Sequence, residues 1–380
     1  MRKMNQWKKC MAMLMASAML VTGGSTFVWA GDSSAETAGE ESGSGTHTIT
    51  DANGNPVEIP ETINSVAAIS WPWPAMVFAV SGDASSIKSM PAGALESYNN
   101  CIFKTLAPGL ENVNTDYLGS DKTLNYEELA KIQPDIMLMY ESEIEKMGEQ
   151  LEKVGVTPVL VNYGKLQDVQ DSMRVLGEIY HTEERAESMI KLHKDAIAAV
   201  ESKQEEFPAK EDQTRVLYLY GVEGDGTYRI YAGTSLGQDY LNMVGGVNVA
   251  EELEITQTTV NMEQILEWNP DVILLSNFDD FMPEDFAEGN FGGNDWSSIE
   301  AIKNGRVYKV PMGIYRWDPP CAESHIMLEW MAQLCNPEIF SEFDIRGDLK
   351  DFYKTYFDHD LTEEEMDQIL YSKSNVGLNC

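Results

Sequence analysis

The stretch Thr123-Leu-Asn-Tyr-Glu-Glu-Leu-Ala-Lys-Ile-Gln-Pro-Asp-Ile-Met-Leu138 returns without a gap as Thr259-Val-Asn-Met-Glu-Gln-Ile-Leu-Glu-Trp-Asn-Pro-Asp-Val-Ile-Leu274, with six of sixteen residues identical. Asn125 and Asn261 can accept from the free amides of a helix start, with Glu128 and Gln264 three residues on, a capping-box arrangement. Pro134 and Pro270 then stop the helix. The apolar runs Ile136 to Met139 and Val272 to Leu275 read as short strands buried on both faces. Each copy is helix, tight turn, buried strand. The repeat distance is far longer than the roughly 20–50 residues of solenoid units, so the repeated object is a whole lobe. Two similar lobes with a cleft between them follow.

Residues 1–30 read as an export signal, with Arg2, Lys3, Lys8 and Lys9 at a basic start, an apolar stretch from Met11 to Val21 and a cleavage site at Val28-Trp29-Ala30. That apolar stretch is shorter than the about 20 residues a bilayer span needs. Residues 31–46 have the Gly, Ser and acid composition of a flexible tether. With no other segment apolar enough to cross a membrane, the expectation is a soluble protein outside the cytoplasm, cleaved near Ala30. Removal of the signal leaves 23 basic against 62 acidic residues, a net of −39, which argues against nucleic acid as a partner. Cys101, Cys321, Cys335 and Cys380 survive cleavage. A helix from about Ala322 to Leu334 would hold Cys321 and Cys335 roughly 20 Å apart, beyond disulfide reach.

Thr48 to Ile59 looks like a hairpin around Ala52-Asn-Gly-Asn55. Strand and helix patterns alternate through an N-terminal lobe, residues 47–166, the signature of an α/β fold with a mostly parallel sheet. Apolar residues at spacings of three and four, among them Met173, Leu176, Met189 and Leu192, predict one long connecting helix over 167–204. A second α/β lobe spans 205–345, and 346–380 reads as helices packed on its outside, the last opened by a capping box at Thr362-Glu-Glu-Glu365. The polar, Gly-rich segment Ser276 to Ser297 is a long loop of the kind that is usually functional or mobile.

In the paired Asn-x-Glu helix starts before Pro-Asp, in Tyr231-Ala-Gly-Thr-Ser235 followed by Gly245-Gly-Val-Asn-Val249, and in Trp296-Ser-Ser-Ile299 with Ala301-Ile-Lys-Asn-Gly305, residues 47 to 345 resemble the substrate-binding proteins of iron-siderophore, vitamin B12 and haem ABC importers, class III of that group. The resemblance implies two similar α/β lobes joined by a single long α-helix, a ligand in the cleft between them and little hinge motion. It implies as partners the transmembrane subunits of an ABC permease and a small-molecule metal chelate, with no enzyme activity, no resident cofactor and a monomeric protein. It also implies that Glu127 and Glu263 each insert into an arginine pocket of the permease; an acid in the first turn of a helix is equally favoured by the helix dipole. Members from single-membrane bacteria carry a lipid-modified cysteine directly after the signal. Here Cys10 comes too early for that role, which leaves anchoring open.

Cleft residues are expected in loops at strand ends. In Trp71-Pro-Trp73-Pro, a tryptophan between prolines is either a turn plug or a ligand platform. Arg316 between Tyr315 and Trp317 suits an anionic chelate or a flat conjugated ring, unless it turns back on Asp318. Arg229, Tyr231 and Ser235 occupy the other second-lobe loop. A bare transition metal needs clustered ligands, and His47, His181, His193, His325 and His359 are scattered along the chain; His181 and His193 read as solvated, and no metal-ligating set is expected. The favoured solute is an iron-siderophore, then a corrinoid or haem. The rival reading is a secreted α/β hydrolase built on Gly233-Thr-Ser235-Leu-Gly237, which fits a nucleophile elbow but lacks a preceding oxyanion segment. A surface adhesin would leave the duplicated lobes unexplained.

Overall fold

The computed structural model describes residues 45–378, so the export signal, nearly all of the tether and Cys380 lie outside them. The chain opens with an antiparallel hairpin of β1 (Thr46–Thr50) and β2 (Pro56–Pro60). Asp51 Oδ1 accepts from the amides of Asn53 and Asn55 at 2.9 Å, and Gly54 takes the positive φ of 83° that closes the turn.

The first lobe is a parallel sheet of β3 (Val66–Ala68), β4 (Ile136–Met139) and β5 (Thr157–Leu160), in the order β3-β4-β5. In the second lobe follow β6 (Arg215–Val222), β7 (Tyr228–Tyr231), β8 (Val247–Asn248), β9 (Gln257–Val260), β10 (Val272–Leu275), a small ribbon of β11 (Asn290–Phe291) and β12 (Asn294–Asp295), and β13 (Val307–Lys309). Its main sheet runs β13-β10-β6-β7-β9, with β8 beside β6; β10 is parallel to both of its neighbours. Every residue of β4 and of β10 is buried, and each is flanked on both sides by parallel strands.

The repeated unit therefore supplies a central strand to each lobe. Asn125 caps the helix Tyr126–Ile132 through the amides of Glu127 and Glu128, and Asn261 caps Met262–Trp268 through that of Gln264. The reciprocal half of a capping box does not form: Glu128 bonds Asn114 and Lys131, and Gln264 bonds Glu267. Both helices stop on a left-handed residue, Gln133 or Asn269, just before the proline. The aspartates that follow explain the shared Pro-Asp. Asp135 Oδ2 accepts from the amides of Asn64 and Ser65, and Asp271 Oδ2 from that of Arg215, so each carboxylate fastens the entry of the neighbouring strand.

Three predicted features come out differently. The pattern over 167–204 divides into helices Leu166–Tyr180 and Glu183–Glu201, because His181 turns left-handed at φ 53°. The first packs on the first-lobe helix Trp73–Ser81 and on β1, while the second packs on the second-lobe helix Ser324–Cys335 and is the long helix that joins the lobes. His193, in this second helix, is buried rather than solvated: its Nε2 lies 2.9 Å from the Ala322 carbonyl, and burial lowers its pKa to about 4. Nor do the C-terminal helices, Ile345–Phe357 and Glu363–Leu370, merely coat the outside. Phe357 stacks on Phe78 of the first lobe at 5.0 Å, Tyr353 donates to Glu323 of the second at 2.6 Å, and Leu349, Tyr353 and Leu370 are fully buried in the core that also holds the connector. The segment Ser276 to Ser297 encloses its own aromatic cluster of Phe281, Phe286, Phe291 and Trp296 around Tyr228. Cys101, Cys321 and Cys335 are free thiols. Among the described residues no helix is long and apolar enough to cross a membrane.

Candidate functional site

Parallel strands end together, and the loops leaving their carboxyl ends converge on one crevice. Ile69 to Pro72 follow β3, Tyr163 follows β5, Phe278 follows β10, and Tyr315 and Pro319 follow β13; together they border a cavity of about 400 Å³. Gly93, Leu118, Lys122 and Leu236 are also part of its wall. Residues of both lobes take part, so this is the cleft. A larger hollow of about 810 Å³ lies between residues 99–105 and the C-terminal extension, but Glu364, Glu365 and Asp367 line it, and of the residues just past the strand ends only Met312, after β13, reaches it.

The two tryptophans of the Trp-Pro-Trp-Pro motif part company. Trp71 is 39% exposed on the cavity wall, with its ring 5.9 Å from that of Phe278. Trp73 begins the helix Trp73–Ser81, is fully buried, and packs edge-on against Tyr140 and Tyr163 behind the wall. It is the plug of the two readings, because its place in the first helical turn directs the ring inward.

Arg316 joins the lobes. Its Nε donates to the Asn277 carbonyl at 2.9 Å and its Nη1 to Ser97 Oγ of the first-lobe helix Ala92–Asn99, while the guanidinium lies 4.7 Å from the Phe278 ring centroid, 5.6 Å from Trp71 and 5.9 Å from Tyr315. It is 6% exposed, and among the described residues it forms no ion pair. The turn contact with Asp318 does not form. That carboxylate accepts instead from Tyr218 and from the Asn277 amide, and burial raises its pKa. Lys309 lies buried nearby, its ammonium held by the carbonyls of Ser276, Asp279 and Phe281, with its pKa lowered to about 8 by burial. Glu323 underlies the loop that carries Tyr315 and Arg316, accepting from the Ile314 amide and from Tyr353; burial pushes its carboxyl up to about 7.

The other expected contacts lie off the cavity. Trp317 is fully buried. Arg229 is engaged outside by Glu223 and Asp279 and covers the Tyr220 ring. Tyr231 packs between Tyr218 and Tyr220. Ser235 precedes the helix Leu236–Met243, and its buried hydroxyl has no hydrogen-bond partner, so no Ser–His pair exists for a hydrolase. Phe278, Tyr163 and Lys122 were not anticipated. Phe278 and Tyr163 were findable as residues just beyond predicted parallel strands; Lys122, in a left-handed conformation over the Tyr140 ring, carries no such signal. The Tyr163 hydroxyl is buried at the cavity wall without a partner, and Lys122 is partly shared with Glu143 at 3.4 Å.

Glu127 and Glu263 are exposed in the first turns of the paired helices. His47 and His181, far apart in sequence, meet beside Glu61.

Residues 105–312 match the family model described as periplasmic binding protein. The chain is 38% identical to a periplasmic solute binding protein from Veillonella parvula of known crystal structure, over 87% of this chain and 98% of that one, with a TM-score of 0.81. It is 23% identical to the molybdate-binding protein MolA of Haemophilus influenzae, over 81% of this chain and 90% of MolA. It is 27% identical to the high-affinity heme uptake system protein IsdE of Staphylococcus aureus, over 56% and 72% of the two chains.

Proposed function

The chain belongs to the periplasmic binding protein family, among the class III binding proteins of ABC importers, and we propose that the solute it carries is a compact, anionic metal chelate. Its relatives are binding proteins, not enzymes. The observation that carries the proposal is Arg316, a cation bracketed by Trp71, Phe278 and Tyr315 at the lobe junction, where it supplies charge and stacking to a flat or aromatic anion. In a chain this acidic, a cleft with Lys122 in its wall and the Arg316 guanidinium against the wall residues Trp71, Phe278 and Tyr315 selects for anions by local rather than net charge. The unpartnered Tyr163 hydroxyl offers a further donor. A cavity of about 400 Å³ sits low in the roughly 300–1,000 Å³ range of small-molecule sites, which favours a compact chelate over a full corrinoid. Trp71, Tyr315 and Arg316 are the proposed contacts, joined by Phe278, Tyr163 and Lys122. Glu127 and Glu263 are the proposed permease contacts, one on each lobe.

Quenching of tryptophan fluorescence against a panel of ferric siderophores, cobinamide, cobalamin, haemin and molybdate tests the proposal. A saturable response to one siderophore-type chelate, lost in Arg316→Ala, is expected. A response confined to molybdate, or none from any chelate in folded protein, would overturn it.

A further inference from the structure

Three distant parts of the chain place His47, Glu61 and His181 side by side on the first lobe, away from the cleft. His47 lies in β1, Glu61 follows β2, and His181 is the left-handed residue between the helices Leu166–Tyr180 and Glu183–Glu201. His47 Nδ1 is 3.7 Å from Glu61 Oε2, and His181 Nε2 is 3.6 Å from Glu61 Oε1. The imidazole centroids are 4.5 Å apart, and one ligand atom from each of the three residues falls within 4.8 Å of the others.

The arrangement around His47 is that of a metal ligand. Its Nε2 faces the Glu178 carbonyl at 3.3 Å, and Glu178 is itself fixed by the Thr50 amide on its Oε2 at 2.6 Å. With Nε2 donating to that carbonyl, Nδ1 turns an unprotonated lone pair toward Glu61 and His181, and this buried atom has no hydrogen-bond partner. A backbone carbonyl that orients a ligating imidazole through its other nitrogen is the usual outer support of a metal site. Two imidazoles and a carboxylate with room for water are a donor set for zinc or another late first-row divalent ion.

We propose that His47, Glu61 and His181 bind such a divalent metal, separately from the solute cleft. Tetrahedral ligation at roughly 2.0–2.2 Å sets ligand atoms about 3.3–3.6 Å apart, so the trio closes around an ion through side-chain shifts of about 1 Å. The bound ion staples the β1–β2 hairpin to the junction of the two helices that precede the second lobe. It acts on the stability of the first lobe, not on the solute.

Equilibrium dialysis of tag-free protein against zinc chloride, with bound metal counted by mass spectrometry, tests this beside thermal melts with and without zinc. One zinc per chain and a zinc-dependent rise in Tm are expected. His47→Gln and His181→Gln each weaken binding by more than the roughly 10–100-fold that loss of an outer partner costs, and remove the Tm rise. Trp71→Ala in the cleft leaves both unchanged. Should a histidine variant melt low without metal, Glu61→Gln at an exposed position gives the same readout. Zinc retained by the double histidine variant, or wild-type protein binding no more zinc than that variant, would overturn the site.

Discussion

Removing one hydroxyl from the C-terminal extension should destabilise the protein more at pH 8 than at pH 4.5. Tyr353 donates to Glu323 Oε1 at 2.6 Å, and the same carboxylate accepts from the Ile314 amide, so an extension helix and the Arg316 loop meet at one buried group. Burial raises the Glu323 pKa from about 4.5 to about 7. The folded chain holds this proton more tightly than the unfolded chain, so the associated stability is fully present below about pH 4.5 and is lost as pH rises to about 7, a change of roughly 3 kcal/mol. At pH 8 Tyr353 bonds a carboxylate, worth about 1.5–3 kcal/mol; at pH 4.5 it bonds a neutral carboxyl, worth about 1 kcal/mol. Tyr353→Phe should therefore cost about 1 kcal/mol at pH 4.5 and about 2–3 kcal/mol at pH 8, read as the shift of the urea midpoint at constant slope. Glu329 and Asp348 also have raised pKa values through burial and contribute to the wild-type pH dependence, but they cancel in the difference between wild type and variant. Equal losses at the two pH values would refute the assignment of charge to Glu323.

Three further outcomes follow from particular contacts. Asn125→Ala and Asn261→Ala should each cost about 1 kcal/mol by urea denaturation and should add in the double variant, because the caps sit in different lobes. Gly93→Ala sets a methyl against Trp71 Cε2 and must displace that ring; loss of its contacts with Arg316 and Phe278 should cost about 1–2 kcal/mol of stability by urea denaturation, and loss of the ring as a stacking platform should weaken chelate binding roughly 2–10-fold. Glu127→Lys with Glu263→Lys should abolish uptake in cells while leaving chelate affinity in dialysis within about twofold, since rim charges govern encounter and orientation.

What was legible in the sequence was what short-range chemistry decides. Asn caps, helix stops at Pro134 and Pro270, and fully apolar β4 and β10 are local, and their duplication carried the two-lobed architecture. The break at His181 was hidden because residues on both sides keep the helical spacing, and only the backbone angles of His181 and Thr182 separate the two helices. The site was half legible. Trp71 and Tyr315, aromatics just past predicted strands, line the cavity with Arg316 against them, whereas Trp73 and Trp317 carry the same signal but are fully buried, and Tyr231 packs between Tyr218 and Tyr220. Composition does not distinguish the two orientations. Long-range packing was invisible: nothing near Phe357 announces Phe78, and nothing near His47 announces His181.

A crystal of the protein with the chelate that quenches its fluorescence, measured at the absorption edge of the chelated metal, shows directly whether the chelate is held between the lobes. The metal peak should fall in the cavity bounded by Trp71, Tyr163, Phe278 and Tyr315, with Arg316 within reach of the chelate. A peak instead in the acidic hollow beside Cys101 and Tyr371, with the cleft unoccupied, would contradict capture between the lobes.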